Sequence, residues 1–177
     1  GTIEMSENNT GLLHGLKVIE MSHIMAAPTC GQMLADMGAD VIKVEHPRGD
    51  VARTAPPFLP GTDPELSFMQ VTLNRNKRSL ALDVGRSRGR EVFLRLAATA
   101  DVVIENLRPG TVDRWGIGYN ELRAMRHDLV MVSISGYGQY GSHAPRAGYD
   151  PIAQAESGFL SLNGPPDAGP TKAPTFI

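Results

Sequence analysis

The sequence predicts an α/β fold: a mostly parallel, Rossmann-like sheet of about five or six strands with flanking helices. Two observations carry this. Short aliphatic runs recur along the chain, and segments with helical spacing of apolar residues separate them. A third points to parallel rather than antiparallel pairing: the first two runs and the helix between them fit one βαβ unit of about 30 residues. Residues 16–21 are the first strand. Residues 26–37 follow as a helix, with Pro28 in the first turn, where proline is tolerated, and Gly38 as its stop. Residues 40–45 are the second strand. From 46 to 76 the pattern dissolves into Pro, Gly, Asp and Thr, with Pro56, Pro57, Pro60 and Pro64, and reads as a long irregular loop. Such a loop inside a compact domain is usually functional. Residues 79–83 are the third strand, and 88–100 a helix with Val92, Phe93, Leu96 and Ala97 on one face. The fourth strand is 101–105, a short helix covers 121–126, the fifth strand is 129–135, and a last helix spans 152–162 before Asn163-Gly164-Pro165-Pro166.

Composition narrows the function. The 177 residues carry 17 Lys and Arg against 19 Asp and Glu, a net charge of −2, so no global field favours nucleic acid. A single cysteine, Cys30, excludes an internal disulfide framework and fits a reducing, cytoplasmic setting. No apolar stretch reaches the length of a membrane span, and the polar first ten residues are unlike a signal peptide. Gly1-Thr2-Ile3-Glu4 ahead of Met5 looks like a tag remnant, so 1–12 are expected as a disordered lead and 13–177 as one domain.

One motif invites a nucleotide reading. Gly136-Tyr137-Gly138-Gln139-Tyr140-Gly141 is a literal G-x-G-x-x-G directly after the fifth strand. That fingerprint works only where a helix opens at the third glycine and aims its free N–H groups at a pyrophosphate. Here Pro145, Gly148 and Pro151 punctuate the segment behind Gly141, and the motif sits late in the chain rather than in the first βα turn. An NAD site is not expected. The glycines still indicate a sharp turn or a close approach of another body.

Open α/β sheets bind ligands outside the carboxyl ends of their strands. Residues 22–28 follow the first strand, 45–50 the second, and 106–110, leading to Arg114-Trp115, the fourth; the glycine loop, with Tyr149-Asp150 behind it, follows the fifth. With residues 74–78 just before the third strand, this edge is expected to gather Arg48, Arg75, Lys77, Arg78, Arg108 and Arg114. A local cationic rim on a near-neutral chain suits a small, multiply charged anion such as a phosphorylated cofactor.

Four blocks, "GLKVIEMSHIMAAPTCGQMLADMGADVIKVEHPRGD", "NRNKRSLALD", "ADVVIENLRPGTVDRWGIGY" and "SISGYGQYG…AGYDPIAQAESG", resemble the family III CoA-transferases in order and spacing. These CaiB/BaiF-like proteins include formyl-CoA and carnitine-CoA transferases and α-methylacyl-CoA racemases. The likeness runs from about residue 13 to the end and covers the N-terminal half of a usual member. It implies that coenzyme A or acyl-CoA is the substrate, with neither metal nor NAD, and that the glycine loop lines the thioester site. It also implies an intertwined homodimer, a carboxylic acid acceptor as second substrate, and no nucleic acid or membrane partner.

The resemblance implies CoA contacts at His23, Met25, Ala26, His46, Lys77, Arg78, Leu82, Asn106, Leu107, Arg114, Ala147 and Gly148, and supporting roles for Gly136, Gly138, Tyr149 and Asp150. Taken alone, these residues leave plainer readings open. His23 reads equally as a strand-end histidine making hydrogen bonds, Met25 and Trp115 as core, Arg48 as a solvated loop charge, and Lys77-Arg78 as a solvated turn. His46 stands where relatives commonly place an arginine, and a histidine is a weaker phosphate partner at neutral pH. Ala27, Ser142 and His127-Asp128 depart from family preferences without touching the chemistry.

In the transferases an aspartate carboxylate attacks the acyl-CoA thioester, which gives a mixed anhydride and then an aspartyl-CoA thioester. That aspartate is expected just after a Pro-Thr-x-x-Pro-like stretch, and residues 169–177 end immediately before it. No aspartate here, Asp150 and Asp167 included, occupies the nucleophile's place. The chain is therefore expected to be an N-terminal part, inactive by itself and truncated before the catalytic segment. A non-catalytic CoA-binding half is the second reading. A 2-methylacyl-CoA racemase is the third, and Tyr149 argues against it, because it replaces a catalytic histidine by a phenol whose reference pKa is about 10.

Overall fold

The structure, a computed structural model, describes residues 11–62 and 66–173. The expectations for residues 1–10 and for the final four residues lie outside these. The chain divides into two compact units, Gly1–Ile134 and Ser135–Ile177.

The first unit holds one five-stranded, wholly parallel sheet in the order β3-β2-β1-β4-β5. Its strands are β1 (Lys17–Met21), β2 (Asp40–Glu45), β3 (Lys77–Ala81), β4 (Val102–Glu105) and β5 (Val130–Ser133). Between them run α1 (Ala26–Asp36), a 3-10 turn at Val51–Thr54, α2 (Phe68–Asn74), α3 (Ser87–Ala97), α4 (Thr111–Arg114) and α5 (Tyr119–Met125). The α/β class and the parallel sheet read from the sequence are what is observed.

A parallel strand covered on both faces must be apolar throughout rather than alternately. β1 follows this except at one position: Val18, Ile19 and Met21 are buried, on different faces, and so is the charged Glu20. Ile19 and Met21 join Val44, Phe93, Val103, Ile117 and Leu122 in one core cluster. Val18 joins Ala27, Ala35, Val41 and Ile104 in the other, beneath α1. On α3, Gly89, Phe93 and Ala97 are buried at four-residue spacing, one face of a helix. β1, β2 and β4 fill the middle of the sheet, so their carboxyl ends open on one shared cleft.

Several elements differ from the sequence reading, among them α4, which it did not contain. The stretch 46–76 is not wholly irregular: it contains the 3-10 turn and α2. α2 buries no residue fully, which is why it leaves no apolar stripe to read. β3 begins at Lys77, two residues early, because Lys77 and Arg78 pair with Val41 and Ile42 in spite of their charge. In the second unit, the expected helix 152–162 is α6 (Asp150–Glu156) followed by a 3-10 turn at Phe159–Leu162. Gly158, at φ 79°, separates the two.

Candidate active site

The carboxyl ends of β1, β2 and β4 and the segment after β3 surround a cleft of about 380 Å³. Its walls include His23, His46, Leu82, Leu107 and Trp115, together with Glu45, Asp50 and Asp83. Four of the expected CoA contacts, His23, His46, Leu82 and Leu107, thus share one cleft.

Three of the loops around the cleft are held by side chains that accept hydrogen bonds from loop N–H groups. Asn106, just past β4, brackets His23: its Oδ1 accepts from His23 N, and its Nδ2 donates to His23 O, both at 2.9 Å. Glu105 Oε2 accepts from Leu107 N at 2.8 Å and fixes the turn that carries Asn106 and Leu107. Glu45 Oε2 accepts from Asp50 N at 3.0 Å. Asp50 Oδ1 in turn accepts from Ala52 N at 3.0 Å and Ile24 N at 3.2 Å. Buried carboxylates at strand ends thus take up N–H groups that a turning backbone leaves unpaired.

Burial sets the ionisation of these groups. It lowers the pKa of the half-buried His23 imidazole, against the attraction of the Asp50 carboxylate, and Lys43 lowers it further. Burial raises the Glu105 pKa, while its hydrogen bonds to Ser133 and Leu107 N pull the other way. Glu45 is depressed, first by the hydrogen bond from Arg53 and against its own desolvation. A neutral His23 on the cleft wall offers one donor and one acceptor.

The cationic rim does not assemble as the sequence suggested. Residues just before a parallel strand lie at its amino end, on the opposite edge of the sheet from the cleft. Arg75 bonds Asp36 there, Nη2 to Oδ2 at 2.6 Å, and Arg78 bonds Asp40 through Nε at 2.9 Å and Nη2 at 2.6 Å. Lys77 turns inward. Its side chain is 1% exposed, and its Nζ lies 2.6 Å from Glu20 Oε2 and donates to Pro28 O at 2.7 Å. Burial lowers its pKa and the Glu20 charge opposes that. Neither a solvated turn nor an exposed cation describes Lys77. Arg48, Arg108 and Arg114 are the rim residues that follow strands, and all three are exposed. Arg114 Nη2 donates to Thr111 Oγ1 at 3.0 Å, a bond that orients the side chain without neutralising it.

Met25 stands at the N-cap of α1 without a capping side chain, and Ala26, the first helical residue, is exposed. Sequence reasoning missed the network beneath them. Glu20, Lys43, Asp50 and the Lys77 side chain are all nearly inaccessible. Ser22 Oγ donates to Glu20 Oε1 at 2.6 Å. Gly31 in α1 makes room for this, since a Cβ there would overlap the Glu20 carboxylate. The visible signal was a glycine in a helix interior opposite a charged residue in an otherwise apolar strand.

The second unit carries Gly136, Gly138, Ala147, Gly148, Tyr149 and Asp150. Two backbones cross at Gly136 and Gly148, so closely that a Cβ on either would strike the other's Cα. This close approach accounts for the absence of a side chain at those two positions. No helix opens at Gly141; turns occupy 142–145, and α6 starts only at Asp150. Arg146 lies over the Tyr137 ring, 4.9 Å from its centroid, and bonds Glu156 at 2.8 Å. Tyr149 is the exposed N-cap of α6, and Asp150 Oδ2 accepts from Gln154 Nε2 at 2.7 Å.

The sequence profile of CoA-transferase family III matches residues 13–177. The chain belongs to CoA-transferase family III. Among curated relatives, it is 46% identical over 166 residues to a succinate–glutarate CoA-transferase of Agrobacterium fabrum, which covers 91% of this chain and 41% of the relative. It is 38% identical over 174 residues to the human succinyl-CoA:glutarate CoA-transferase, covering 97% of this chain and 39% of that protein. A crystal structure of a CaiB/BaiF family protein from Brucella suis superposes with a TM-score of 0.88 at 44% identity, over 93% of this chain and 44% of the other. The chain therefore spans less than half the length of these family members. Among the described residues, no cluster of three His, Cys, Asp or Glu side chains could hold a metal ion, and no helix is long and apolar enough to cross a membrane.

Proposed function

We propose that the intact protein is a CoA-transferase that moves CoA from an acyl-CoA thioester to a free carboxylic acid, and that these residues supply much of its CoA site. The observation that carries the reading is the carboxyl-edge cleft lined by His23, His46, Leu82 and Leu107 in a chain of this family. The pantetheine arm runs past Leu82, Leu107 and the 23–26 loop, where the small Ala26 leaves room for it. The exposed Arg48, Arg108 and Arg114 meet the nucleotide phosphates, which guanidinium groups bind well. The names of the relatives favour dicarboxylic acids as donor and acceptor.

A carboxylate attacks the thioester carbonyl and expels CoA thiolate, leaving a mixed anhydride. The thiolate then attacks the enzyme-derived carbonyl of that anhydride, releases the donor acid and forms an enzyme thioester. The acceptor acid reverses both steps. Backbone N–H groups of the 136–141 loop suit the developing oxyanions. The nucleophile is an aspartate supplied from outside these 177 residues, and the working unit is a homodimer.

The test is calorimetry of the intact protein with CoA and with NAD, followed by an assay with acyl-CoA and a second carboxylic acid. CoA binding, a new thioester by mass spectrometry, and a hydroxylamine-trapped adduct on an aspartate outside this stretch are the expected results. Heat with NAD and none with CoA overturns the reading; an adduct on Asp150 overturns the assignment of the nucleophile. Arg114→Ala should weaken CoA binding by about 1–3 kcal/mol, the cost of losing a charged hydrogen bond.

A further inference from the structure

The turn from β1 into α1 holds a strained residue. Ile24 has φ 65°, in the left-handed region, where a β-branched side chain is an outlier. Such a conformation persists only where its surroundings hold it, and it collects at functional sites. Here the preceding residue, His23, is bracketed by the Asn106 amide, and the Ile24 N–H is held by Asp50 Oδ1 at 3.2 Å.

Asp50 is fixed from behind. Its Oδ2 accepts from Lys43 Nζ at 3.0 Å, and Lys43 reaches Ser22 O at 3.3 Å and Glu20 Oε1 at 3.4 Å. Lys77 Nζ closes the row, 2.6 Å from Glu20 Oε2. Four charges of alternating sign, Lys77, Glu20, Lys43 and Asp50, run through the interior and end on the strained peptide beside the cleft. A row of buried charges is seldom more stable than apolar side chains of the same volume. Stability alone does not explain it, whereas a fixed acceptor under a strained turn does.

We propose that Asp50 is a positioning residue of the acyl-CoA site: its carboxylate, anchored by Lys43, holds Ile24 in the left-handed conformation and so sets His23 and the first turn of α1 against the cleft. This rests on the CoA-binding reading above.

The test is a double-mutant cycle in the intact protein, with CoA affinity measured by calorimetry and folding followed by circular dichroism. Asp50→Ala should weaken CoA binding about tenfold or more, as for a lost hydrogen bond to a charged group. Ile24→Gly in the same background should restore affinity to within about threefold of wild type, because glycine takes φ 65° without strain. Should Asp50→Ala fail to fold, the isosteric Asp50→Asn enters the same cycle. Wild-type affinity in the Asp50 variant overturns the proposal. So does a loss that Ile24→Gly leaves untouched, since that is a general folding defect. If the wild-type protein itself binds no CoA, the CoA reading and this proposal fail together; the other two outcomes overturn the proposal alone.

Discussion

Two ion pairs of the same sheet show how place decides the worth of a charge. At the amino edge, Arg78 and Asp40 meet at 2.6 Å with side chains 65% and 46% exposed. Inside, below the cleft, Lys43 and Asp50 meet at 3.0 Å with side chains 2% and 1% exposed. The exposed pair has the shorter contact, yet water screens it and either partner can be solvated when left alone. The buried pair has no such refuge: removing one partner strands the other in a medium that solvates it poorly. Distance does not rank the two pairs; burial does.

The comparison breaks most sharply at Lys43. Lys43→Met keeps the stem and removes the charge, leaving Asp50 unpaired and Glu20 with only Lys77. We expect a loss of about 3–5 kcal/mol in urea unfolding, the range for breaking a buried pair. A loss below about 1 kcal/mol would put the buried pair on the footing of the surface one.

Glu105 sharpens the contrast through pH. Its carboxyl is buried, so its pKa is raised in the fold. A raised carboxyl pKa means that the folded state keeps its proton longer than the unfolded chain. The stabilising contribution is complete below the ordinary value of 4.5 and is lost as pH rises from there through the folded value. Glu105→Gln removes this dependence. The stability of the variant relative to wild type should therefore climb with pH across that window and level off above it. Parallel stability–pH curves for the two proteins would contradict the burial argument.

The smallest effect belongs to Arg78. Arg78→Ala should cost less than about 1 kcal/mol, and about 1 M salt should erase most of it. A larger, salt-insensitive loss would mean that the amino edge works like the interior.

Much of this was legible in the sequence. The repeated aliphatic runs and the helix between the first two strands follow from local physics, because apolar spacing is written residue by residue. The loops after β1, β2 and β4 could be named as cleft walls because the carboxyl-end rule needs only strand direction. The missing helix behind the glycine motif was legible too, since Pro145 and Gly148 punctuate the segment, and turns occupy 142–145. α2 escaped because a helix that buries no residue fully has no clear stripe, and β3 was shortened because charged residues masked its start.

The sequence by itself determined the α/β class, the βαβ opening and the family. Tertiary structure decided which charges face water. Lys77 and Arg78 are neighbours in sequence, but they project to opposite faces of the edge strand β3, one into a buried pair with Glu20 and the other to surface Asp40. Their partners lie 57 and 38 residues away, so neither fate was visible locally. The physical reason is that the cost of a charge depends on what surrounds it in space. Only the strand order β3-β2-β1-β4-β5 brings Lys77, Glu20, Lys43 and Asp50 into one row beneath the strained Ile24.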